Sequence, residues 1–91
     1  MFTALIDDKP QAPLYADRAL CRLQLDELPE AADDIARGLE LNPDEAELYY
    51  CRAILNLRRF REEDARKDAD KAIELGMYAP MVNALWGGKS K

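Results

Sequence analysis

Residues 12–45 read APLYADRALCRLQLDELPEAADDIARGLELNPDE, and residues 46–79 read AELYYCRAILNLRRFREEDARKDADKAIELGMYA. Laid over one another without a gap, the two 34-residue stretches match Ala12 with Ala46, Leu14 with Leu48, Tyr15 with Tyr49, Arg18 with Arg52 and Ala19 with Ala53. The register continues through Leu23 and Leu57, Ala31 and Ala65, Asp34 and Asp68, Glu40 and Glu74, and Leu41 and Leu75. Conservative pairs fill the gaps, among them Leu20 with Ile54, Glu30 with Asp64, Arg37 with Lys71 and Leu39 with Ile73. A fixed period of this length marks stacked two-helix units. Such a stack works through an extended surface rather than a catalytic pocket.

Within the first unit, Leu14, Tyr15, Ala19, Leu20, Leu23 and Leu25 recur at helical spacing. Pro13 suits the first turn of that helix, where a missing N–H costs nothing. The chain breaks at Asp26-Glu27-Leu28, and Pro29 again suits a first helical position. The second helix is expected to turn Ala31, Ala32, Ile35, Leu39 and Leu41 inward and to stop at Asn42-Pro43, because a residue before proline is pushed out of the helical region. Asp44 with Glu47 reads as a capping pair opening the third helix, and Gly76 as the stop of the fourth. The spacing predicts helices near residues 2–8, 13–26, 29–41, 45–59, 62–75 and 79–86, adjacent ones antiparallel.

These residues resemble the tetratricopeptide repeat family. The small residues at its helix crossings match Ala19 and Ala53, then Ala31 and Ala65, then Gly38 and Ala72. The bulky group after the second small residue is Ile35, but Ala69 in the second unit, and the terminal proline is Pro43, but Met77. AIELG and LELNPDEAELYY look typical of the family. The large aromatic late in the first helix is replaced by Arg22 and Asn56, and the turn aromatic of the second unit is displaced to Phe60. The resemblance covers residues 12–79. It implies one all-α domain over 1–91, a right-handed superhelical stack of antiparallel helix pairs. Residues 12–45 and 46–79 are its full repeats, 1–11 a partial preceding unit, and 80–91 a capping helix and tail. In that tail Met81, Val82, Leu85 and Trp86 cover an end that would otherwise be apolar, or Trp86 anchors a partner.

The resemblance further implies that the first helix of each unit lines a concave groove. Its positions here are Pro13, Ala16, Asp17, Leu20, Leu23 and Gln24, then Glu47, Tyr50, Cys51, Ile54, Leu57 and Arg58, with Arg58 and Glu47 flanking it. Ala16, Leu20 and Leu23, like Tyr50, Ile54 and Leu57, form apolar stripes at i, i+4, i+7 that suit a peptide segment. The same leucines equally read as packing against neighbouring helices. Some family members clamp a chaperone's C-terminal carboxylate with Lys, Asn and Arg. The matching residues here are Ala16, Leu20 and Cys51, which cannot, so no such tail is expected. Arg18 and Asp34 stand 16 residues apart, as do Arg52 and Asp68. In related repeats the two pair across the helix contact, sparing the arginine an unpartnered desolvation.

Composition excludes more than it assigns. The 91 residues hold 18 acidic and 13 basic side chains, a net charge of −5. The first 45 residues account for 11 of the acids and 4 of the bases, which argues against a general polyanion binder. The chain has no histidine, the commonest general base and metal ligand. Cys21 and Cys51 lack zinc spacing and read as reduced thiols, Cys21 in the core and Cys51 nearer the surface. Adjacent carboxylates such as Asp33-Asp34 and Glu62-Glu63 diverge by about 100° on a helix, which suits surface charge better than acid–base pairs.

The expectation is therefore a non-catalytic protein-binding module that needs no metal or cofactor. Its partner is a protein or peptide, with neither nucleic acid nor membrane involved. Two rival readings stand beside it: a helical-repeat RNA binder, and a structural fragment whose ends pack on further repeats or on a second copy. The first eight residues carry too short an apolar run for a secretory signal, so the expected location is the cytoplasm.

Overall fold

A computed structural model describes residues 12–86. The expected helix over 2–8 and the tail beyond Trp86 lie outside the described residues. Within them the chain is all-helical, with no strand: α1 (Ala12–Gln24), α2 (Leu28–Leu41), α3 (Ala46–Arg58), α4 (Glu62–Glu74), α5 (Ala79–Asn83) and a 3₁₀ turn over Ala84–Trp86. None of these helices is long and apolar enough to cross a membrane.

The helices pack as two hairpins, α1 on α2 and α3 on α4, with α3 also lying against both α1 and α2. One core joins the units: Ala16, Ala19 and Leu23 of α1 meet Ala31 and Ile35 of α2 and Leu48, Cys51 and Leu55 of α3. A second, smaller core gathers Ala53, Ala69 and Val82, bordered by Tyr50, Ile73, Met77, Leu85 and Trp86. The crossing alanines 19, 31, 53 and 65 are fully buried, as the repeat register requires. A side chain larger than alanine at these crossings would force the helix axes apart.

The register runs further than two units. Val82 of α5 lies 34 residues beyond Leu48 and, like Leu48, is completely buried. α5 thus carries Val82 at the register position of Leu48, although it is only 5 residues long. The α2–α3 contact is unusually close: a Cβ added to Gly38 would come 2.6 Å from Leu48 Cδ1. In the next unit the corresponding residues are Ala72 and Val82. At these register positions one methyl is gained and one lost, and the summed side-chain volume is unchanged.

Three helix ends share one geometry. Residues 26, 60 and 76 take positive φ (63°, 60° and 119°). Each N–H bonds the carbonyl three residues back, while the next N–H reaches five back, as in Glu27 N–H to Arg22 O at 2.8 Å and Arg61 N–H to Asn56 O at 2.8 Å. This is the Schellman ending, which favours glycine at the left-handed residue. Gly76 meets that preference as expected, whereas Asp26 and Phe60 do not. The start of α3 departs from expectation. No side chain caps it and its N-cap is Glu45. Asn42 instead organises the turn, its Oδ1 accepting from the Asp44 N–H at 3.1 Å, because an Asx turn competes for the same backbone donors. Tyr49 closes the loop by donating to Pro43 O at 2.7 Å.

Candidate functional site

Side-by-side packing of α1 and α3 divides the expected groove residues into two groups. Ala16, Leu23 and Cys51 are buried in the shared core, and this corrects their placement on an open groove. The face of α3 that carries Cys51 rests on α1, where the thiol donates to Ala16 O at 3.5 Å. Burial pushes the thiol up to about 12, helped by the charges of Glu47 and Asp17. The cysteines are therefore exchanged relative to expectation, Cys21 exposed and Cys51 buried. The counterpart of Cys21 in the second unit is Leu55, which the first unit covers. No described element covers the same face of α1.

Leu23 and Leu57 share a register position but not an environment. Leu23 is 0 % exposed beneath α3, while Leu57 is only partly buried, the shortened α5 being the next element along. Leu20, Tyr50 and Ile54 are also partly buried, each packed on the edge of a core. Asp17 and Gln24 are exposed. These six residues remain as a mixed surface on neighbouring first helices. Arg58 is already engaged: one guanidinium nitrogen donates to Leu23 O at 3.0 Å and to Asp26 Oδ1 at 3.1 Å. It joins the second unit to the carbonyl end of α1, where a cation also complements the helix dipole.

The expected ion pairs form in both units. Arg18 Nε and a terminal nitrogen donate to Asp34 at 3.1 and 2.8 Å, and Arg52 does the same to Asp68 at 3.1 and 3.0 Å. Such forked pairs fix geometry as well as charge. The hydrogen bonds to Asp34 raise the Arg18 pKa, against the opposing effect of burial. Each guanidinium also lies over a tyrosine of its own helix, Arg18 on Tyr15 at 5.5 Å and Arg52 on Tyr49 at 5.3 Å.

The structure also accounts for the polar residues Arg22 and Asn56 late in α1 and α3. Arg22 Nε lies 3.1 Å from Asp34 Oδ2, within ion-pair distance although its N–H is not aimed at the carboxylate. Asn56, its counterpart, donates to Asp68 Oδ2 at 2.8 Å. Sequence reading missed this third member of each network. The signal was present: residues 22 and 56 are in register, both polar, and each stands 12 positions before the buried aspartate. Beside Asn56 lies an open cleft of about 420 Å³ lined by Arg52, Asn56, Asp64, Lys67 and Asp68. Its two cations and two carboxylates balance. Among the described residues no cluster of side chains has the make-up of a metal site.

The chain matches no protein-family model, no curated protein and no solved structure.

Proposed function

We propose that this chain is a tetratricopeptide-like module that holds a peptide or protein segment against the exposed face of its first helices and performs no catalysis. The observation that carries the reading is the row formed by Leu20 on α1 and Tyr50, Ile54 and Leu57 on α3. These apolar side chains are only partly covered, with Asp17 and Gln24 beside them. An apolar strip with a polar border suits an amphipathic or extended segment, whose apolar anchors supply affinity and whose polar groups set register. In this reading the hairpins stack as a right-handed superhelix whose inner surface is that row, and the Arg–Asp networks hold each hairpin rigid behind it. Rigidity matters because ordering a loose surface on binding would consume affinity.

The test is selection from a random displayed peptide library against the whole chain, followed by titration of a selected peptide. Tyr50→Gln and Leu57→Gln should each weaken that peptide at least tenfold while leaving helical circular dichroism intact. Peptides insensitive to both changes would sink the proposal, as would a failure to select any peptide alongside tight, salt-dependent binding of RNA.

A further inference from the structure

The turn that ends α1 and the turn that ends α3 lie side by side, since Arg58 at the end of α3 reaches the carbonyl of Leu23 and the carboxylate of Asp26. Their backbones are the same and their side chains are opposite. The first turn reads Leu25-Asp26-Glu27 and the second Arg59-Phe60-Arg61. Each presents one large apolar group to solvent, Leu25 at 68 % and Phe60 at 95 % exposure. Phe60 is unfavourable where it stands on two counts. It is an aromatic ring in water, and it occupies a left-handed φ of 60° that bulky residues avoid. Asp26 takes the same φ with the tolerance of a short polar side chain. A strained, fully exposed aromatic is an observation that points to function.

The charges state what it meets. Asp26 keeps 78 % of its side chain exposed despite Arg58, and Glu27 is held only at 3.8 Å by Arg22. Among the described residues no carboxylate lies within ion-pair distance of Arg59 or Arg61. One edge of the molecule therefore carries an acidic and a basic turn, each with an apolar centre. A two-fold axis between the turns, running along the helices, lays the acidic turn of one copy on the basic turn of another. Both contacts form at once, as an isologous interface requires.

We infer that this edge is a self-association surface, and that its occupant is a second copy of the same chain. Leu25 meets Phe60 of the other copy, and Asp26 and Glu27 meet Arg59 and Arg61. This goes beyond the peptide-binding proposal and uses a different surface, so either can fail alone. Two short turns are small beside the roughly 800 Å² per partner of a stable dimer. The association is therefore weak and transient.

Sedimentation equilibrium of the whole chain tests it, from about 10 µM to about 1 mM at low salt. The expected result is a monomer–dimer equilibrium that loses at least tenfold in affinity at high salt, where exposed charges are screened. Phe60→Gly should abolish the dimer while strengthening the fold, because glycine suits the left-handed residue, so lost association cannot be blamed on unfolding. Arg61→Glu, which puts an acid at the start of α4 where the dipole favours it, should weaken the dimer. Glu27→Arg combined with Arg61→Glu should restore it. Met81→Ser, at the far end of the stack, should change nothing. A chain monomeric at the highest concentration overturns the inference. So does a dimer indifferent to Phe60→Gly, a double reversal that fails to rescue, or a dimer that Met81→Ser disrupts.

Discussion

Asp34 and Asp68 answer to different company although their arginines are arranged alike. Asp34 is held by Arg18 and has a second cation, Arg22, 3.1 Å away, whereas Asp68 has Arg52 and the neutral amide of Asn56. Removing Arg18 leaves a buried carboxylate still facing a positive charge. Removing Arg52 leaves one facing only an amide. Breaking a fully buried pair costs about 3–5 kcal/mol, and the half-exposed guanidiniums here reduce that considerably. Arg52→Ala should therefore cost about 2 kcal/mol and Arg18→Ala about 1 kcal/mol by urea denaturation. Equal losses, or a larger one for Arg18, would show that Arg22 does not share the load. The cysteines give a second residue-scale prediction. One thiol, Cys21, should react fast with a thiol reagent at pH 8, and Cys51 only on unfolding. Cys51 stays protonated in the fold to about pH 12 against an ordinary value of 9.0. Its contribution to stability is thus complete below about pH 9 and lost as the pH rises towards 12, because there the unfolded chain binds fewer protons than the native one. The loss reaches about 1.4 kcal/mol per pH unit. Cys51→Ala should remove that part of the alkaline decline, and an identical decline in the variant would contradict the assignment.

At the scale of helices, contacts between units are set by matched volumes. Gly38 exists because Leu48 fills the space its Cβ would need, and Ala72 is tolerated where Val82 stands in the register of Leu48. Alanine for glycine inside a helix gains about 1 kcal/mol in propensity, but a methyl 2.6 Å from a buried leucine carbon costs about 1–3 kcal/mol. Gly38→Ala should therefore destabilise by about 1 kcal/mol, and Leu48→Val alone by a similar amount. Combined, they should return close to wild-type stability, because the shortened side chain at 48 frees the space that the added methyl at 38 needs. A strictly additive double-mutant cycle would mean that the two residues do not share the contact. The four long helices were legible in the sequence to within two residues, because Pro29, Asn42-Pro43 and Gly76 act through the local backbone, whereas the helix expected over 79–86 ends at Asn83 and gives way to a 3₁₀ turn. The opening of α3 was not. Asp44 and Glu47 have capping spacing, yet Asn42 takes the donor first, and spacing alone does not rank competing acceptors. The left-handed residues Asp26 and Phe60 were hidden for a related reason, since neither is the glycine that usually marks such an end.

For the whole molecule, the 34-residue repeat carried the hairpins, their order and the half-buried Arg–Asp pairs, because repeated contacts leave repeated residues. It did not carry the differences between units that neighbours impose. Leu23 and Leu57 are equivalent in sequence, but α3 covers one fully while the short α5 follows the other. Cys21 and Leu55 are equivalent too, and only Leu55 lies beneath another unit. Burial in a stack depends on what stands next in line, and an internal repeat is silent about that. The same asymmetry leaves Leu57, Ile54 and Tyr50 partly open beside Leu20, and on this surface the functional proposal rests. Chemical-shift mapping of the ¹⁵N-labelled chain during titration with a library-selected peptide tests it most directly. The expected result is a contiguous set of shifts over Asp17, Leu20 and Gln24 of α1 and Tyr50, Ile54 and Leu57 of α3, with α4 unmoved. Shifts centred instead on Arg52, Asn56 and Lys67 around the charged cleft, with the first-helix row silent, would contradict it.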